Sequence, residues 1–215
     1  MRNLKKLLAL VLAMVMAFSL MLTANAAVKY DDYQDKDSIT AEFDEGVRVL
    51  TGLEVMQGDE KGFRPSDKIT RAEAAAVIYR AVTGDVTDRQ TALYKDYGTF
   101  TDVKSDDWFA GYVGYCQNAG YIKGTSPTTF QPYGQVTGYE VLAMILRAVG
   151  YGKNNEFTGG SWQVNVAALA RQLGVTKHVT AAHMEQTLNM AAPREVVADL
   201  VFMFNATAPT VTYTP

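Results

Sequence analysis

The sequence predicts a mainly helical fold of three helix–turn–helix repeats joined by short extended segments. Three observations carry that expectation. Phe63-Arg64-Pro65, followed at a distance of four by Ile69-Thr70-Arg71-Ala72-Glu73, recurs 67 residues later as Phe130-Gln131-Pro132 and Val136-Thr137-Gly138-Tyr139-Glu140. A further shift of 55 reaches Ala191-Ala192-Pro193-Arg194-Glu195. Gly52, Gly120 and Gly174 lie 21, 20 and 21 residues before the three glutamates, and Trp108 and Trp162 each stand 12 before their glycine. A period of this size is the mark of a repeat architecture.

The elements follow in order. Residues 1–26 read as an export leader: Arg2, Lys5 and Lys6 precede an apolar run from Leu7 to Leu22, and Ala24-Asn25-Ala26 is a cleavage signature. The run is 16 residues, short of the roughly 20 that span a bilayer. The first helix of each repeat is expected near 39–51, 108–119 and 162–173, with Gly52, Gly120 and Gly174 as C-terminal caps. Val55-Met56-Gln57 and Tyr121-Ile122-Lys123 are extended, closed by Gly58 and Gly124.

The second helices are expected over 71–82, 138–149 and 193–204. Thr70 with Glu73, and Thr137 with Glu140, form capping boxes, whereas the third helix starts with Ala192 as N-cap and Pro193 in the first helical position. In this register Ala76, Ala143 and Ala198 share one position, Ile78, Ile145 and Leu200 a second, and Val77, Met144 and Asp199 a third. Small residues beside large aliphatic ones suit close helix packing, and no helix pair alone buries its apolar face, so three are needed. The segments are then repeat 1 over 27–82, an insert over 83–99 that reads equally as a short helix or a loop, repeat 2 over 100–150, repeat 3 over 151–205, and a Thr/Pro-rich linker over 206–215.

Composition narrows function. The 215 residues hold 20 Lys+Arg against 23 Asp+Glu; removing the leader leaves 17 against 23, a charge of −6. An acidic chain lacks the concentrated basic face that nucleic acid requires. One Cys and two His supply neither a disulfide framework nor a metal site. Cys116, inside a helix among Tyr112 and Tyr115, reads as a buried thiol; His178 and His183 support neither metal nor base chemistry. Arg80 and Arg147, in one helical register, suit surface or inter-repeat hydrogen bonds better than ligand contacts. There is no Ser/His/Asp set, and the chain reads as non-enzymatic, with no cofactor.

The pattern resembles the S-layer homology family. The resemblance rests on Thr70-Arg71-Ala72-Glu73, on Phe100-Thr101-Asp102-Val103 with Trp108, and on the Gly120, Gly124 and Phe130-x-Pro132 spacings. It spans roughly residues 32–205, and the third repeat is degenerate, with Glu185 and Thr187 where Phe and Pro belong. The resemblance implies a pseudo-threefold, spindle-like bundle. It also implies non-covalent anchoring of an exported protein to secondary cell-wall polysaccharide, commonly through a pyruvylated amino sugar, at the wall of a Gram-positive-type bacterium. The motif arginine is the family's main ligand contact, in grooves between repeats. Only Arg71 stands at the motif position; Gly138 and Pro193 take the equivalent places, with Arg194 displaced by one.

The candidate ligand-binding residues are therefore Arg71, Thr70, Trp108, Asp102, Gly124 and Arg194. A carboxylate at a helix start gains from free amides and the dipole, Arg71 can add a bidentate bond, and Trp108 either stacks on a sugar ring or packs at a helix start. Asp102 reads first as a turn or cap residue and second as a groove residue. Two other roles stay open: targeting part of a larger surface enzyme, and a self-assembling structural protein.

Overall fold

The computed structural model describes residues 29–179 and 188–207. The leader, His183, Glu185, Thr187 and most of the Thr/Pro-rich tail lie outside them. The described residues form six α-helices: α1 (Asp44–Gly52), α2 (Arg71–Thr83), α3 (Ala110–Asn118), α4 (Gly138–Ala148), α5 (Trp162–Gln172) and α6 (Arg194–Thr207). They contain no strand, only isolated β-bridges, so the expected mainly helical class holds.

Local chemistry sets the helix starts. Thr70 accepts the Glu73 amide at 3.2 Å while its own amide donates to the Glu73 carboxylate at 2.7 Å, and Thr137 with Glu140 repeats this at 3.2 and 2.8 Å. Both threonines are extended, with φ of −81°. These are the two capping boxes expected from the Thr-x-x-Glu spacing.

Three backbone hydrogen bonds close a ring at the centre. The Ile69 amide donates to the Ala192 carbonyl at 3.1 Å, Ala192 to Val136 at 2.8 Å, and Val136 to Ile69 at 3.2 Å. All three residues are buried. Bridges Thr70 to Gln135, Thr137 to Ala191 and Lys68 to Pro193 flank the ring in the same cyclic sense. The three units are thus related by a pseudo-threefold arrangement.

The ring corrects the register of the third unit. Ala192 matches Ile69 and Val136, so Pro193 takes the N-cap place and Arg194, not Pro193, is the first helical residue. The chemistry explains the slip. A capping box needs an N–H at the N-cap and a carboxylate three residues on; Pro193 has no N–H and Val196 no acceptor, so both halves are lost together. Proline's fixed φ suits the extended N-cap conformation. One consequence is that Asp199, not Ala198, falls at the position of Ala76 and Ala143.

A second correction concerns Gly52. It is the last residue of α1, and the left-handed residue that turns the chain is Glu54 (φ 57°), matching Gly120 (77°) and Gly174 (76°).

Helices pair across units. The main helix contacts are α1 with α6, α2 with α3, and α4 with α5, so each second helix packs on the first helix of the next unit. Glycine permits the closest approach, since a Cβ on Gly46 of α1 would lie 2.8 Å from Asp199 Cα of α6. The insert holds a 3-10 turn, Thr91–Tyr94, against α3. It lies so close that a Cβ on Gly111 would meet the Thr91 carbonyl at 2.2 Å and one on Gly114 the Tyr94 carbonyl at 2.0 Å. The insert is therefore an ordered strap over α3.

Candidate binding cavity at a repeat junction

Arg71 begins α2, but its side chain points into the neighbouring unit and is 4% exposed. Its Nε donates to the Phe130 carbonyl at 2.7 Å, Nη2 to the Lys123 carbonyl at 2.9 Å, and Nη1 to Glu140 Oε1 at 2.6 Å. The guanidinium also lies 4.8 Å from the centre of the Phe130 ring. A guanidinium carries five N–H donors, so two remain. The expected free amides at this helix start are absent, because those of Arg71 and Ala72 donate to the carbonyls of Gly134 and Pro132 at 2.8 and 3.0 Å.

Beside Arg71 opens a cavity of about 250 Å³. Unit 1 supplies Arg71; unit 2 supplies Lys123, Gly124, Glu140, Ala143, Met144 and Arg147; Phe157 and Trp162 close the third side. Glu140 is already engaged, one oxygen on Arg71 and the other on the Thr137 amide. Arg147 is different. Its Nη2 donates to the Phe157 carbonyl at 3.3 Å, and it pairs with no carboxylate among the described residues. Burial alone pulls its pKa down, as desolvation does to a cation without an opposing charge. The cavity therefore has a surplus of positive charge inside an acidic protein.

Gly124 belongs to this wall for a steric reason. A Cβ there would lie 2.3 Å from the Ser126 carbonyl oxygen and 2.4 Å from that of Thr129, so only glycine lets the loop fold back.

The other expected residues go elsewhere. Thr70 is a cap and does not line the cavity. Trp108 is 55% exposed and packs edge-on against Phe109 and Tyr112; the tryptophan in the Arg71 cavity is Trp162. Asp102 is a loop clamp, its oxygens accepting the Phe130 and Gln131 amides at 2.9 and 2.7 Å. That clamp holds Gln131 at φ 57°. Burial would raise the Asp102 pKa, but the two amides outweigh it and keep the carboxyl below its ordinary value.

Asp35 is the matching clamp in unit 1, accepting from Phe63 and Arg64 at 2.9 and 2.6 Å, and it is not among the residues expected from the sequence. A signal was available: Asp35 precedes Phe63 by 28 residues, as Asp102 precedes Phe130.

Arg194 is the structural twin of Arg71. It is 7% exposed, its Nε donates to the Phe63 carbonyl at 2.9 Å and Nη2 to the Gln57 carbonyl at 2.7 Å, and it lies 5.0 Å from the Phe63 ring. The twin junction thus pairs Arg194 with Gln57-Gly58 and, by register, with Arg80 and Trp108. At the third junction Gly138 replaces the arginine, and His178 Nδ1 meets Asp199 Oδ1 at 2.8 Å. Cys116 is buried and its thiol reaches the Ala75 carbonyl at 3.5 Å; burial pushes its pKa up, which suits a packing role. Among the described residues no His, Cys, Asp and Glu group is placed to hold a metal, and no helix is long and apolar enough to cross a membrane.

A closed ring of three helical units with a cationic cavity at a junction defines a repeat-built helical module. The chain belongs to the S-layer homology family: the model of the S-layer homology domain matches residues 32–75 and 99–141, the first two repeats. It is 32% identical over 183 residues to a surface layer protein of Brevibacillus choshinensis, covering 85% of this chain and 16% of that one. It is 34% identical over 155 residues to a middle cell wall protein of Brevibacillus brevis, covering 72% of this chain and 14% of the relative. An amylopullulanase of Thermoanaerobacterium thermosulfurigenes is 28% identical over 142 residues, 60% of this chain and 7% of the enzyme. The chain thus spans about one sixth of the surface proteins it matches. The family and the relatives' names place the chain among modules of cell-surface and cell-wall proteins.

Proposed function

We propose that this chain holds an exported protein at the bacterial cell wall by non-covalent binding of secondary cell-wall polysaccharide. The junction cavity takes an acidic, pyruvylated sugar. The observation that carries this reading is the surplus of positive charge, Arg71, Lys123 and Arg147 against Glu140, in a cavity walled on one side by Trp162. A planar carboxylate matches a guanidinium fork, and an indole offers both a flat apolar face and a donor to a sugar ring. Arg71 presents its two remaining N–H donors there, and Gly124 leaves the room. Arg194 and Trp108 belong by register to the twin junction.

Residues 1–26 direct export, and the protein works at the cell surface. Residues 151–205 form the third, degenerate repeat, a reading supported by the ring that Ala192 completes. The wider protein's activity, if a catalytic domain accompanies this module, belongs to that domain. The relatives named for surface layers favour a second partner, other copies of this chain; size-exclusion without glycan yields ordered oligomers if that holds.

The main test is sedimentation with purified cell wall before and after chemical removal of its secondary polymer. Binding is expected to disappear with the polymer; undiminished binding to stripped wall would refute the ligand.

A further inference from the structure

Arg80 and Arg147 occupy one position in α2 and α4, nine residues after Arg71 and Gly138. Their surroundings differ in one respect that decides their chemistry. Arg80 is locked in a two-pronged ion pair, Nε to Asp88 Oδ1 at 3.0 Å and Nη2 to Asp88 Oδ2 at 2.7 Å, with Tyr112 Oη 3.0 Å from Nη2. Asp88 comes from the insert, which unit 2 does not have. It is held at φ 58°, and the strap that carries it is seated on Gly111 and Gly114 of α3. Arg147 faces its cavity hydrogen-bonded to one carbonyl at 3.3 Å and, among the described residues, in no ion pair, since Glu140 across the cavity is taken by Arg71.

Resting on the acidic-sugar reading above, we propose that the two junctions are not equivalent: Arg147 is the residue that receives the ligand's carboxylate, and at the twin junction the protein's own Asp88 stands in for that ligand. The Arg80–Asp88 fork is the template for the bond Arg147 makes with a bound anion. Arg71 adds its two remaining donors to the sugar but is not the carboxylate's counter-charge, because Glu140 offsets it and three of its donors are committed to the protein. A partly buried cation without a counter-charge is costly, so a carboxylate entering the cavity relieves a penalty already present in the empty protein. An exchange at Arg80 would displace one carboxylate by another and gain little. At the twin junction Arg194 forms no ion pair among the described residues, but Glu73, the counterpart of Glu140, lies near enough to favour its charge. With Asp88 on Arg80, the two cations there face two carboxylates, whereas Arg71, Lys123 and Arg147 face Glu140 alone, so one anion per chain is expected.

The test is calorimetric titration of the full exported chain with a hexosamine carrying a pyruvyl ketal, the unmodified hexosamine serving as control. One ligand per chain is expected. Arg147→Gln is expected to weaken binding more than tenfold, and Arg147→Lys, which keeps the charge but loses the fork, by several-fold. Arg80→Gln is expected to leave affinity within twofold. Asp88→Asn keeps a residue that tolerates the left-handed conformation while removing the charge, and is expected to raise the stoichiometry towards two. Thermal melts establish that each variant is folded; if Arg147→Gln is not, Arg147→Lys decides. Two ligands on the wild-type chain, equal losses from the Arg147 and Arg80 variants, or an unchanged stoichiometry in Asp88→Asn would overturn the asymmetry and leave wall anchoring intact. No binding of the ketal by either the wild type or Asp88→Asn would instead overturn the acidic-sugar reading itself.

Discussion

Arg71 of the first repeat reaches Glu140 of the second at 2.6 Å, joining the start of one helix to the capping box of another. The arginine that marks the family motif is therefore a junction residue, committed to the protein itself. Arg71→Ala leaves the Glu140 carboxylate and two carbonyls without their buried donor. Such losses cost about 3 kcal/mol, and urea unfolding is expected to show it without any glycan present. Arg80→Ala, at a more exposed pair, is expected to lose about 1 kcal/mol. A similar loss from both would show that burial does not set the difference.

The loop clamps make the fold acid-sensitive. Asp102 is held below its ordinary value of 3.8, so its contribution is fully present above that value and is lost as pH falls through the depressed one. Asp102→Ala is expected to cost about 3 kcal/mol at pH 7, for two charge-assisted bonds. The gap between the variant's melting curve and the wild type's should narrow as the pH falls below about 4; a gap that does not shrink with falling pH would contradict the clamp.

Two glycines should respond in opposite senses. At Gly124 a methyl group meets backbone oxygens at 2.3 and 2.4 Å, and Gly124→Ala is expected to destabilise by at least about 2 kcal/mol. At Gly52 nothing lies within 4 Å and φ is not positive, so Gly52→Ala is expected to stabilise by about 0.5 kcal/mol. Chemical denaturation of both variants checks the pair.

The third junction carries a different asymmetry. Asp199 is fully buried, its Oδ2 has no partner among the described residues, and burial raises its pKa against the pull of His178. A carboxyl whose folded pKa lies above its unfolded one costs stability as pH rises through that range. Ala76 and Ala143 fill the equivalent places, so Asp199→Ala is expected to be neutral or stabilising by about 1 kcal/mol at pH 7. His178→Ala strands the carboxylate and is expected to cost about 2 kcal/mol. Melting temperatures in the reverse order would show the pair to be a net stabiliser.

Much of the fold is legible in the sequence. The two Thr–Glu capping boxes, the order of the helix pairs and the spacing of Phe63 and Phe130 fall where the residues place them, because each depends on contacts within a few positions, although the first helix begins at Asp44 and not near residue 39. The last helix starts one residue later than expected because Pro193 is at home at either of two adjacent helix-start positions, and only the buried ring chooses between them. Trp162, not Trp108, faces Arg71 because each junction draws on three units, and spacing within one repeat says nothing about which neighbour turns inward. Arg71 is buried although a charged first-turn residue is usually solvated, because carbonyls 52 and 59 residues away reach it. Arg147 shares its register with Arg80, and the carboxylate that sets the two apart comes from a strap whose path no local pattern fixes.

The ring of Ile69, Val136 and Ala192 also governs how the module answers a pull. In an open solenoid an end unit frays while the rest stays folded. Here the first and last units hold each other, through Ile69 to Ala192 and α1 against α6, so neither can be peeled away singly. Tension applied near Thr207 meets a clasp whose three links must part together, and an extension trace should record one rupture instead of a staircase.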